Sequence, residues 1–107
     1  MAVQRTQLDG LVADAVRLLR ERIRVDAVYL FGSQASGDAH EHSDIDLAIF
    51  SPDVAELGVL GRARLGTRLR MQCSRDIEPH FFPAWALEAP PRGSFAEYVI
   101  KTGRRMA

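Results

Sequence analysis

Two short apolar runs frame this chain. Val25 to Phe31 is β-branched and aromatic and stops at Gly32. Asp44 to Phe50 alternates without exception: Asp44, Asp46, Ala48 and Phe50 fall on one side, Ile45, Leu47 and Ile49 on the other. A period of two sends successive side chains to opposite faces of a strand, and both runs are short for a helix. Both therefore predict strands, the first of them buried. Alternation in the second puts two carboxylates on one face at its beginning, followed on that face by apolar residues.

Helical spacing surrounds these strands. From Thr6 to about Ile23 the residues Leu8, Leu11, Val12, Ala15, Leu19 and Ile23 recur as one apolar stripe, and Thr6 with Asp9 resembles a capping box. Ser51-Pro52-Asp53 closes the second strand and opens a helix over Val54–Arg70, with Leu57, Leu60, Leu65 and Leu69 expected inward. Gly58, Gly61 and Gly66 lower its propensity but allow close packing on a sheet. Arg75–Phe82 predicts a third strand, stopped by Pro83. Residues 89–93 predict a loop. Ser94 with Glu97 forms a capping box for a last helix, and Gly103 stands where a C-terminal glycine belongs. The predicted class is α/β (α+β): a small mixed or parallel sheet of about three to four strands flanked by helices. With 107 residues, no internal repeat and no Gly-, Ser- or Pro-rich linker, residues 1–107 read as a single domain.

Composition excludes several classes. Fourteen Lys and Arg balance fourteen Asp and Glu, and a net charge of zero disfavours a grip on nucleic acid through phosphates alone. Runs such as Ala27–Phe31 are too short to cross a bilayer, and the N-terminus has no apolar signal-like stretch, so a cytoplasmic protein without membrane contact is expected. Cys73 is the only cysteine, which rules out an intrachain disulfide and a cysteine-based zinc site.

The chemistry-bearing residues lie at the ends of the first two strands. Side chains two apart on a strand project from one face, so the Asp44 and Asp46 carboxylates converge there. Like charges that close repel unless a cation lies between them, and carboxylates with a substrate phosphate are a common magnesium donor set. An Asp-x-Asp on a strand can also be an ordinary solvent face. Gly32-Ser33, directly after a strand, lets the backbone approach a ligand and offers a hydroxyl and N–H groups to an anion; alone it is an ordinary turn. It is neither a Walker loop nor a dinucleotide fingerprint.

In combination, Gly32-Ser33 after a strand, ten residues, then Asp44-Ile45-Asp46 opening the next strand resembles the nucleotidyltransferase superfamily related to DNA polymerase β. The chain's small size is similar to the minimal nucleotidyltransferases, antitoxins of toxin–antitoxin pairs whose partner is a HEPN-domain protein. The close match covers Tyr29 to Phe50. A third acid on a later strand belongs to the pattern, and Ile77-Glu78-Pro79-His80 resembles members in which a glutamate fills it. Glu78 is preferred, with Asp76 as substitute.

The resemblance implies a single polymerase β-like domain, one or two Mg²⁺ ions held by Asp44, Asp46 and Glu78, and ATP bound at Gly32 and Ser33. It further implies transfer of AMP to a hydroxyl of a partner protein, a tyrosine of a HEPN toxin. Two alternatives stay open: a non-catalytic nucleotide-binding antitoxin acting by contact, and a subunit modifying a small molecule such as an aminoglycoside. Homo- or hetero-oligomers fit any of these. Relatives often carry arginine where Gln34 and Ser36 stand here, which bears on how firmly a triphosphate is held. His40-Glu41-His42 reads as a solvated loop, and His80 as a structural histidine. Phe81, Phe82, Trp85 and Leu87 read as core, with a partner surface as the alternative.

Overall fold

The computed structural model describes residues 5–36 and 44–107. Helix α1 runs Arg5–Arg20, strand β1 Ala27–Phe31, the short α2 Ser33–Ser36, and β2 Ile45–Ser51. Then come α3 (Val54–Gln72), β3 (Ile77–Pro83), α4 (Trp85–Glu88), α5 (Phe95–Thr102) and β4 (Arg104–Arg105). The four strands form one sheet in the order β3-β2-β1-β4. β1 pairs antiparallel with both β2 and β4, while β2 and β3 run parallel, so the sheet is mixed. The expected class and helix-flanked sheet are found.

Alternation sorts the strand residues into two cores. Val28 and Leu30 of β1, Ile45, Leu47 and Ile49 of β2, and Ile77 of β3 pack with Leu8, Val12, Ala15 and Leu19 of α1 and Leu65 and Leu69 of α3. On the other face Ala27, Tyr29, Phe31, Ala48 and Phe50 pack with Ala86 of α4 and with Ala96 and Val99 of α5. The first face is fully apolar. The second begins, on β2, with Asp46.

Helix ends depart from expectation where a tertiary contact competes. α1 already includes Arg5, so Thr6 lies inside it, and the Asp9 carboxylate accepts from Arg104 of β4 at 2.9 Å rather than serving a cap. Leu60 is 68% exposed instead of inward. Gly58 explains this: at φ 65° it breaks the helical path inside α3, so the apolar phase before it does not carry on beyond it. Of the three glycines, Gly66 is the one that serves sheet packing, since a Cβ there would lie 3.3 Å from Pro79 Cγ. Gly103 caps α5 with extended backbone, not a left-handed turn. A side chain is excluded there by proximity, because its Cβ would stand 2.6 Å from the Val99 carbonyl oxygen and 2.9 Å from that of Leu30.

Ser94 caps α5 as expected, but the Glu97 carboxylate reaches back to the N–H of Gly93, one residue before the cap, rather than to that of Ser94. Ser94 Oγ accepts from the Glu97 N–H at 3.2 Å, and the Glu97 carboxylate accepts from the Gly93 N–H at 3.1 Å. Ser94→Ala should lower stability by about 1 kcal/mol. Chemical denaturation would show it as an earlier midpoint with unchanged slope; an unmoved midpoint would mean the cap contributes nothing here.

Cys73 ends α3 near Asp14 of α1. Burial, and secondarily the Asp14 charge, push its thiol above the ordinary range. A pKa higher in the folded than in the unfolded chain means this group's contribution to stability is present below the unfolded value and lost as alkaline pH passes the folded one. Since the thiolate is the nucleophile, Cys73 should react with a disulfide reagent more slowly in the native protein than in denaturant at neutral pH. Equal rates would contradict the shielding.

Candidate active site

The site lies at one end of the sheet, where β1 finishes and β2 and β3 begin. Register decides its composition. Phe31, the last residue of β1, pairs with Asp46, and Asp46 pairs in the parallel ladder with Glu78. Partners in a parallel ladder share a face at the interstrand spacing of about 4.8 Å, so Asp46 and Glu78 are neighbours beside the α4–α5 layer. Asp44 is exposed and sits one residue before β2. Asp76 precedes β3; its carbonyl accepts from the Ile45 N–H at 2.8 Å, and its own N–H donates to Ser74 Oγ. Of the two third-acid candidates, Glu78 is therefore the one paired with Asp46.

Gly32 closes in from the side of β1. It adopts φ 76°, a conformation glycine takes without cost, and a Cβ built on it would lie 2.7 Å from Asp46 Oδ2. The backbone at Gly32 thus lies against the very carboxylate that β2 presents. Ser33 begins α2, and the Gly32 carbonyl accepts from the Ala35 N–H at 3.1 Å. Gln34 carries its Nε2 buried, with no hydrogen-bond partner among the described residues. The His40-Glu41-His42 segment lies outside the described residues.

One site residue was read from sequence as merely structural. His80 stands two beyond Glu78 on β3, and its Nε2 lies 3.3 Å from Asp46 Oδ1. Its ring meets Phe31 and Phe95 edge-on at 5.1 and 5.7 Å. This aromatic clamp fixes the imidazole, which with a proton on Nε2 donates to the Asp46 carboxylate and holds its orientation. The signal was present: Glu78 and His80 share the period of two that joins Asp44 to Asp46. Phe95 escaped sequence reading altogether. It is 47% exposed, stacks on Tyr98 at 6.3 Å, and edges the site with an aromatic wall. Of the apolar residues around Pro83, Phe82 and Leu87 pack on the second core and Phe81 on the first, whereas Trp85 is exposed.

Among the described residues no three His, Cys, Asp or Glu side chains gather into one metal-sized cluster. Asp46 and Glu78 supply oxygen donors from adjacent strands, which suits a hard cation that completes its shell with water and phosphate.

The polymerase beta nucleotidyltransferase family profile matches residues 14–83, from mid-α1 to the end of β3. The chain belongs to this family. It is 34% identical over 64 residues to protein adenylyltransferase MntA of Shewanella oneidensis, a match covering 59% of this chain and 45% of that protein. The match thus spans less than half of this relative's length. Among solved structures, a toxin–antitoxin complex with AMP-PNP superposes with a TM-score of 0.67 at 25% identity, over 92% of this chain and 72% of the other. A double Asp-to-Glu mutant of the MntA–HpeT toxin–antitoxin pair superposes with a TM-score of 0.64 at 23% identity, over 89% and 71%. The fold is that of polymerase β-like nucleotidyltransferases, and the resemblance to minimal nucleotidyltransferases of toxin–antitoxin pairs is borne out. No helix among the described residues is long and apolar enough to cross a membrane.

Proposed function

We propose that this domain transfers AMP from ATP to a hydroxyl group of a partner protein, and that the acceptor is a tyrosine of a HEPN-type toxin. The observation that carries the reading is the convergence at one sheet end: Gly32 against the Asp46 carboxylate, with Glu78 as its ladder partner. That register supports Asp46 and Glu78 as acids of a nucleotidyl-transfer site, with Asp44, one residue before β2, as the further acid. Gly32 and Ser33 hold the terminal phosphates, and His80 orients Asp46. Asp44, Asp46 and Glu78 would hold one or two Mg²⁺ ions, which supply charge neutralisation for an in-line displacement. Glu78 would either join in holding the metal or take the proton from the attacking hydroxyl. A protein acceptor and ATP as donor are supported by the relatives, one of them a protein adenylyltransferase and another a toxin–antitoxin complex with an ATP analogue, while the tyrosine of a HEPN-type toxin rests on the family resemblance alone.

A second reading, a non-catalytic antitoxin acting by contact, is favoured by Gln34 and Ser36, uncharged residues at places where members of the family often carry arginine at one or both. Intact mass spectrometry separates the two. The protein encoded beside this chain, incubated with it and Mg-ATP, should gain one or more AMP units. A stable complex whose partner mass never changes would leave contact as the mechanism.

A further inference from the structure

A cavity of about 310 Å³ opens between α3 and the free edge of β3, lined by Arg62, Gly66 and Arg70 from the helix and by Glu78, Pro79 and Phe81 from the strand. Gly66 makes the room. The Arg70 guanidinium lies over it, 3.5 Å from where a Cβ would stand. Arg62 and Arg70 are half-buried, and neither forms an ion pair with an acid among the described residues. Their surroundings are cationic. From Leu57 to Arg75 the chain carries Arg62, Arg64, Arg68, Arg70 and Arg75 and no acid, although the whole sequence is neutral. Glu78 lines the same cavity without pairing with either arginine, and two guanidinium groups against one carboxylate leave an excess of positive charge that favours a planar anion from outside.

Position decides what that anion belongs to. In the strand order β3-β2-β1-β4, Gly32 lies on the β1 side of Asp46, while this cavity opens at the β3 edge on the α3 face of the sheet, the face opposite Asp46, and Glu78 at that edge joins the two. In-line displacement requires the attacking hydroxyl and the leaving pyrophosphate to lie on opposite sides of the reacting phosphorus. With the pyrophosphate at Gly32, the acceptor enters from the β3 edge. We infer that the Arg62–Arg70 cavity is the acceptor subsite, and that it takes an acidic side chain of the acceptor protein lying close to the modified hydroxyl. This rests on the nucleotidyl-transfer reading for its geometry, and the binding measurement below stands apart from turnover.

The test uses two labelled peptides that share one tyrosine, flanked in one by glutamate and in the other by glutamine. Fluorescence anisotropy with the whole chain should show the acidic peptide binding at least about tenfold more tightly, the scale of one charge-assisted hydrogen bond. Arg62→Gln and Arg70→Gln should each remove most of that preference, while Arg64→Gln, exposed and outside the cavity, should keep it. Affinity for a non-hydrolysable ATP analogue should be unchanged in all three variants. Equal binding of the two peptides, or none by either, would overturn the subsite. A parallel loss of analogue affinity would also overturn it, because the arginines would then grip the nucleotide. Failure of the transfer reading itself would show differently, as no analogue binding and no AMP added to either peptide. Circular dichroism of each variant guards against a folding defect, and Arg70→Lys, which keeps the charge, should retain part of the preference.

Discussion

Asp46→Asn should reduce AMP transfer by roughly 10³-fold, because this carboxylate would hold the cation that offsets charge on the transferring group, a stabilisation of several kcal/mol, and each 1.4 kcal/mol is tenfold. The substitution keeps the shape and leaves an oxygen to accept from His80, which lies 3.3 Å away. Stability should therefore shift by less than about 1 kcal/mol. The pair of results matters: transfer lost, with an intact melting curve and undiminished binding to the proposed partner protein. Initial rates with Mg-ATP, read as AMP added per acceptor, make the measurement. Undiminished transfer would remove Asp46 from the chemistry and with it the site proposed here.

Gly32→Ala should damage the same site from the other side. The residue is held at φ 76°, which costs an alanine about 1–2 kcal/mol, and the added carbon would lie 2.7 Å from Asp46 Oδ2. One of the two must move. Misplacing a reacting group by about 1 Å can cost 10²-fold, so transfer should fall by at least about that factor. Gly93→Ala is the control, because it has the same φ of 76° but open space around the missing side chain. Both variants should lose similar backbone stability, and only Gly32→Ala should lose activity. If Gly93→Ala lost activity equally, general destabilisation rather than contact with Asp46 would be the cause.

Legibility followed the range of the interaction. The strands at β1, β2 and β3, the helices over α1, α3 and α5, and the Ser94 cap were readable because each is written locally, in an apolar run closed by Gly or Pro, in a period of two or 3.6, or in a cap three residues long. Gly58 shows the limit of periodicity. Its spacing in sequence resembles that of any helical glycine, and only its backbone angle shows that the stripe through Leu60 is cut. Asp9 shows the limit of local capping, since an arginine 95 residues away takes its carboxylate. The two-residue β4 carries no periodic signal of its own. It exists because β1 has an open edge to pair with.

For the site, alternation by itself placed Asp44 with Asp46, and Asp76 with Glu78 and His80, on common faces. Those are properties of single strands, fixed by backbone geometry. Which residue of β3 meets Asp46 is a matter of register between positions 32 residues apart in sequence, set by how Ile45 and Ile77 enter the same core, and no local pattern encodes it. The same holds for Gly32: the sequence determined that a glycine ends the first strand, and the tertiary structure decided that it does so against a carboxylate. The Arg62–Arg70 cavity exists in neither α3 nor β3 separately. It forms because a helix with a glycine on its inner side packs beside a strand that has no neighbour on its outer edge.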